Sequence, residues 1–373
     1  MQYRGTYIRV DLSAIADNTR ALRAFVFPTP HMMAVVKANA YGHGLIPVAE
    51  TALNNGADYL GVAIPEEGET LRKAGVRAPI LVLGAVNRRG AEASAAFGLT
   101  QAVFDRERVR MLEDAAARLG VTAEAHLKCD TGMGRIGVRT AEEARDVLAE
   151  IERSPHVRLT GAFTHFADAD GVSDAYSLEQ IRAFEALRAL LPRGITVHAA
   201  ASAAAVRYPQ ARYDLVRQGI SLYGCAPVEG GPALRPALSW HTEIAYVKTL
   251  PAGACVSYGC TYRTERITRA ATLPVGYGDG YHRALSGKAR VLVGGRRCPV
   301  IGRVCMDQIM ADVTDVPENA CRIGAPVVLL GRQGSEEITA QELASWAGTI
   351  SYEMLLAATA RVPILYDDPS RAE

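Results

Sequence analysis

A chain of 373 residues, 49% hydrophobic and only 22% charged, is long enough for two domains and too apolar to be disordered. Its formal net charge of +1 gives no electrostatic basis for binding nucleic acid or an anionic membrane. No apolar run approaches the roughly 20 residues that cross a bilayer, and the opening "MQYRGTYIRVDL" lacks the apolar segment of a signal peptide.

Early in the chain, "TYIRVDL" reads as a strand, followed by a helix starting at Asp11 or Ser13. Up to about residue 220, short apolar strands then alternate with helical stretches. Eight strands are marked: "MMAVVK", "DYLGVA", "PILVLG", "TQAVF", "AEAHLK", "RLTGAFTH", "ITVHAA" and "YDLVRQG". Amphipathic segments such as "RERVRMLEDAAARLG", "TAEEARDVLAEIERS" and "SLEQIRAFEALRALL" lie between them. Alternation of this kind implies a parallel sheet. Eight units in roughly 200 residues fit a (β/α)8 barrel of the TIM type better than the alternative, an open doubly wound sheet. From Pro236 the pattern becomes mostly β, as in "SWHTEIAYVKTL", "RRCPVIGRVCMDQIMADV" and "APVVLLG". Helical pattern returns only in "TAQELASWAG" and "YEMLLAATARV". The expected organisation is a barrel over residues 1–235 and a mostly-β domain over 236–373, joined at the Gly- and Pro-rich "APVEGGPALRPAL". The "TYIRVDL" strand falls outside the eight, so residues 1–12 are available to pair with the C-terminal domain.

The polar residues carry the functional information. Lys37 ends "HMMAVVK", where a core gives way to a loop. A lysine desolvated there can lose its proton and become a nucleophile or Schiff-base former; alternatively it snorkels to water. Lys128, His165, Ser202, and Arg217 with Gly219 and Ile220 also follow barrel strands, on the face where such barrels place their chemistry. Only five lysines occur in the chain, and two of them end barrel strands. The loops after the seventh and eighth strands are the usual phosphate seat; here they offer a serine hydroxyl and a Gly-Ile backbone. A Schiff-base lysine combined with a phosphate seat suggests pyridoxal 5′-phosphate. The seven cysteines form no C-x-x-C pair and no metal-like pairing with histidine; they read as reduced thiols of a cytoplasmic protein, and no metal is expected.

"AVVKANAYGHG" resembles the cofactor-lysine signature of the alanine racemases. "HLKCDTGMGRIGV", "GAFTHFADAD", "VRQGISLYG", "VSYGCTY", "PVGYGDGY", "GRVCMDQ" and "ISYEML" match segments of that family in the same order, over nearly the whole chain. The resemblance implies interconversion of L- and D-alanine for peptidoglycan by two bases, Lys37 and Tyr258, on opposite faces of the substrate. It also implies that Lys37 holds the cofactor, that Arg217 faces its ring nitrogen as a donor unable to protonate the ring, and that His165 lies beside the Tyr258 base with Arg217 behind it. By the same resemblance, phosphate contacts would come from Tyr41, Ser202, Gly219, Ile220 and Tyr352. Arg135 and the Met306 backbone N–H would hold the substrate carboxylate, Asp307 would line the substrate mouth, and Lys128 matches a family lysine often carbamylated. A homodimer that shares its active sites, with Tyr258 and Met306 reaching the other subunit, is the expected assembly.

Two departures from the family pattern stand out. Ala201 occupies the place of a usual asparagine before Ser202, and "RVPILY" replaces a common Arg-Val-Pro-Arg ending. Other readings are a broad-specificity racemase of the same fold, a basic amino-acid decarboxylase, and a non-enzymatic carrier of pyridoxal phosphate. The arginine of "LVRQGI" and the tyrosine of "VSYG" weigh against the decarboxylase; the domain after the linker weighs against the carrier.

Overall fold

The computed structural model describes residues 4–367; residues 1–3 of the N-terminal stretch and 368–373 lie outside the described residues. The described chain divides into two units: a barrel unit of Ala14–Ala40 and Gly44–Arg235, and a second unit built from the residues up to Ser13, Tyr41–His43 and the residues from Pro236 on.

In the barrel unit the strands are β2 (His31–Val35), β3 (Tyr59–Val62), β4 (Ile80–Val82), β5 (Thr100–Val103), β6 (Ala123–Lys128), β7 (Val157–Phe163), β8 (Thr196–His198) and β9 (Leu215–Gln218). They pair in parallel in the order β8-β7-β6-β5-β4-β3-β2-β9. Because both faces are covered, the strands read as unbroken apolar runs: Met32, Met33, Ala34 and Val35 are all buried. Between β8 and β9 the ladder shrinks to one parallel bridge, Ala201 to Arg217, with Arg217 N–H donating to Ala200 O at 3.0 Å. The barrel is nearly closed there. Helix starts follow side-chain chemistry: Asp105 accepts from Arg108 N–H at 2.8 Å, and Thr140 forms a capping box with Glu143.

The second unit is a mostly antiparallel sheet of ten strands. Its main path runs β11 (Tyr246–Leu250), β14 (Thr268–Leu273), β17 (Ile309–Asp312), β16 (Arg296–Ile301), β15 (Arg290–Val293), β18 (Pro326–Gln333), β10 (Leu238–Glu243), β1 (Tyr7–Asp11), β20 (Ile364–Asp367), with β19 (Glu336–Ile338) on β18; β12 (Cys255–Val256) and β13 (Tyr262–Arg263) pair separately. The "TYIRVDL" strand thus pairs with the C-terminal strands, antiparallel to β10 and parallel to β20.

Several elements are shorter than the sequence pattern predicts, and two of these bear on the site. The first barrel strand ends at Val35, so Lys37 stands two residues beyond it; Val36 still donates to Gly61 O at 2.8 Å before the backbone turns. Of "YEMLLAATARV", only the part up to Leu356 is helical, within Ser351–Leu356. Beyond it, Thr359 N–H is taken by Asp279 O at 3.0 Å, a bond that a continuing helix could not make.

In the barrel unit, Asn18 of helix Leu12–Val26 is buried and donates to Leu222 O (3.1 Å) and Arg235 O (2.8 Å) while accepting from Arg235 N–H (2.8 Å). It ties the chain after β9 to the first helix. Asn18→Ala strands three backbone groups and is expected to lower stability by about 2 kcal/mol, read as a lower urea midpoint at unchanged secondary structure.

Candidate active site

Beyond β2 the chain makes a turn that L-residues rarely adopt. Ala38, Asn39, Ala40 and Tyr41 all have φ between 52° and 53°, in the left-handed region. Such residues cost roughly 1–2 kcal/mol each, so the surroundings must hold them. Ala40 N–H donates to Val36 O (2.8 Å), Gly44 N–H to Asn39 O (2.9 Å), and Leu45 N–H to Asn39 Oδ1 (2.9 Å). Ala38 N–H donates to Glu67 Oε1 at 2.5 Å. Lys37 heads this turn. Its amine is held below the ordinary lysine range, first by burial and then by the charge of Arg135, with Glu67 acting in the opposite sense.

Arg217 on β9 is the electrostatic centre of the barrel unit. It is 3% exposed, and its guanidinium donates to Thr164 O (2.8 Å), Ala199 O (2.8 Å), His198 Nδ1 (2.9 Å) and His165 Nδ1 (3.2 Å). All four acceptors are neutral, and Arg217 pairs with no carboxylate among the described residues. Burial lowers it to about 9, which still leaves it cationic at neutral pH. Because a guanidinium only donates, both imidazoles accept at Nδ1 and carry their proton on Nε2. His198 Nε2 then donates to His126 Nδ1 at 2.9 Å. Burial, followed by the Arg217 charge, pushes His165 and His126 down to about 3 and holds His198 well below the usual range.

Lys128, at the end of β6, is buried; its Nζ donates to Cys129 O at 2.5 Å and lies 5.5 Å from the centre of the Phe163 ring. Burial lowers its amine to about 8. Arg135 sits on the following loop, which is shaped by Asp130. That carboxylate accepts from Gly132 N–H (3.1 Å) and Gly134 N–H (3.0 Å), while Asp130 N–H and Val138 N–H close the loop onto Val138 O and Lys128 O. Arg135 is exposed, yet near enough for its charge to depress Lys37, Lys128, His165 and Arg217.

After β8 and β9 the predicted phosphate seat has a definite form. Ser202 Oγ accepts from Gly219 N–H at 3.0 Å and from Ser221 N–H at 3.4 Å, and Ile220 is buried between them. Helix Ser202–Arg207 begins at Ala201, which has no side chain to cap it; the usual asparagine could do so. Buried cations without counter-charges, a desolvated amine and converging backbone N–H groups are the donor set that an anionic, phosphorylated carbonyl compound needs. The residues present fit pyridoxal 5′-phosphate.

The remaining predicted site residues lie in the second unit. The rings of Tyr41 and Tyr352 are 6.0 Å apart, and burial raises the Tyr41 phenol. Tyr258 and Met306 are 69% and 53% exposed. Asp307 accepts an ion pair from Arg361 at 2.9 Å. Asp279, with its carboxylate fully buried, is taken up by Arg4, Arg361 and Gly276 N–H, as a turn-forming residue. Sequence reasoning missed His198, His126 and Glu67. The first two carry a signal, polar residues inside the apolar strands "ITVHAA" and "AEAHLK"; Glu67 sits in an ordinary helical first turn and carries none.

The three imidazoles around Arg217, two of them buried, predict an acid-sensitive barrel. Their folded pKa values lie below the ordinary value near 6.5, so stability is full above that pH and is lost as the pH falls through it. The urea midpoint is expected to drop between pH 6.5 and 5, while NMR shows none of the three rings titrating in the folded state.

Known proteins agree with this layout. Family models of the alanine racemase N-terminal domain and C-terminal domain match residues 10–227 and 237–366. An alanine racemase from Symbiobacterium thermophilum is 50% identical over 370 residues, with 97% of each chain covered. The crystal structure of alanine racemase from Bacillus anthracis with bound L-Ala-P is similar at a TM-score of 0.92 and 39% identity, covering 100% of this chain and 97% of that one. A histidine racemase from Leuconostoc mesenteroides is also similar, with a TM-score of 0.90, 32% identity and 99% of both chains covered. The chain belongs to the alanine racemase family, whose members use pyridoxal 5′-phosphate to interconvert L- and D-alanine.

Proposed function

We propose that in this protein Lys37 and Tyr258 are the two bases of alanine racemisation, which removes the α-proton from one face and returns a proton to the other. The observation that carries this reading is the desolvated Lys37 amine beside a buried Arg217 that has only neutral partners. Pyridoxal 5′-phosphate, when bound, supplies the electron-withdrawing ring that acidifies the substrate Cα–H. Lys37 would hold the cofactor; once released, its neutral amine accepts a proton at Nζ, and the ammonium so formed returns one. Arg217, which can only donate, would face the ring nitrogen and leave it unprotonated, a weaker electron sink that would discourage side reactions such as transamination. His165, held neutral with its proton on Nε2, is oriented by Arg217. Ser202, the Gly219 and Ile220 backbone, Tyr41 and Tyr352 bind the phosphate; Arg135 and Met306 N–H bind the substrate carboxylate, and Asp307 flanks it.

The exposed Tyr258 and Met306 support a homodimer in which each subunit lends its second base to the other. Among the described residues no helix is long and apolar enough to cross a membrane, and all seven cysteines are free thiols; both suit a cytoplasmic enzyme supplying D-alanine for peptidoglycan.

In deuterated water, the wild type is expected to form D-alanine from L-alanine with deuterium at Cα. Lys37→Ala abolishes both exchange and inversion. Tyr258→Phe keeps exchange of one enantiomer while inversion falls by about 10²–10⁴-fold; unchanged inversion would exclude Tyr258 as the second base. Mixed dimers of Lys37→Ala and Tyr258→Phe regain activity if sites are shared, and stay inactive if each subunit is self-contained. Carbamylation of Lys128 needs its neutral amine, whose fraction rises through about pH 8. A carbamate signal from 13C-bicarbonate should therefore grow between pH 7 and 9 and vanish in Lys128→Ala.

A further inference from the structure

We infer that Glu67 is the positioning residue that aims Lys37, an inference resting on the assignment of Lys37 as the cofactor-holding base. Both carboxylate oxygens are occupied by backbone donors of the barrel unit. Oε1 accepts from Ala38 N–H at 2.5 Å; Oε2 accepts from Ala63 N–H at 2.8 Å and Ile64 N–H at 3.4 Å. Ala63 and Ile64 follow β3 and lead into helix Pro65–Lys73, whose first turn contains Glu67 itself. One side chain therefore joins the first turn of a helix, the end of its preceding strand, and the residue directly after Lys37.

The bond to Ala38 matters because of where it falls. Ala38 is the first of the four left-handed residues, so its N–H marks the point at which the chain departs from strand geometry. Ala40, Gly44 and Leu45 donate within the turn and its immediate neighbours. Of the bonds described for the turn, that of Ala38 crosses to the next β/α unit, and so sets the turn's angle to the barrel. Lys37 shares a peptide unit with that N–H, which transfers the constraint to the direction of its side chain.

A carboxylate is the group this position requires. Glutamine has nearly the same shape but one acceptor oxygen; its NH2 would confront either Ala38 N–H or Ala63 N–H, donor against donor. The negative charge has a second effect. Arg135 and Arg217 favour loss of the Lys37 proton, and Glu67 favours its retention. Glu67 therefore holds Lys37 between a spent nucleophile and a permanently neutral one, as suits a group that must both take and return a proton.

The test compares wild type, Glu67→Gln and Lys37→Ala as full chains. For Glu67→Gln with cofactor, kcat is expected to fall at least tenfold while KM for alanine changes less than twofold. After removal of the cofactor, the pH midpoint for acetylation of Lys37, read by peptide mass spectrometry, is expected to move to lower pH in Glu67→Gln. A merely structural role would leave that midpoint in place. In the wild type, amide exchange at Ala38 is expected to be slow despite the exposure of that residue, and this arm holds even if the variant fails to fold. Wild-type kcat with an unmoved midpoint, or rapid Ala38 exchange, overturns the inference. Full activity of Lys37→Ala would instead overturn the assignment of Lys37 itself.

Discussion

A buried cation with no anion beside it is the constraint around which the barrel is organised. Removing Arg217 from water has a large desolvation cost, and the protein offsets it with two carbonyls and two imidazoles but no carboxylate. Everything nearby follows from that choice. The imidazoles must stay neutral, and their tautomers are fixed because the guanidinium only donates. Burial first, and then the same positive field, makes the amines of Lys37 and Lys128 bind their protons less tightly. The resulting pocket of excess positive charge is matched to a phosphate and a substrate carboxylate.

The barrel's framework was legible in the sequence because parallel strands buried on both faces leave short, largely apolar runs, and all eight strands pair in one sheet. Lys37, Lys128, Ser202 and Arg217 were visible for a related reason: each is a polar residue where an apolar run stops. Roles in the second unit were legible only through resemblance. Nothing in the local pattern around Tyr258 or Met306 separates a functional residue from a strand or turn residue, since both sit in short, exposed connections.

The turn after Lys37 shows where pattern reading fails. "ANAY" contains good helix formers, and no glycine announces a left-handed backbone until Gly42. The conformation is imposed by partners distant in sequence, Glu67 among them, and a single sequence records such partners only as ordinary helix residues. The relay behind Arg217 was hidden differently: its acceptor His198 and that residue's partner His126 lie inside strands, where a histidine reads as an interruption rather than as a hydrogen-bond relay.

The strand β1, between β10 and β20, has a consequence for biogenesis. A ribosome delivers β1 before the barrel, yet the strands on either side of it emerge only after the whole barrel has been made. The second unit therefore cannot complete its sheet during synthesis. β1 must wait as an unpaired edge while more than half of the polypeptide is translated, and its charged outward residue Arg9 helps to keep that edge from joining other chains. The same arrangement means that closing the sheet joins strands lying on opposite sides of the barrel in the sequence, so the last pairing of the second unit waits on strands made after the barrel.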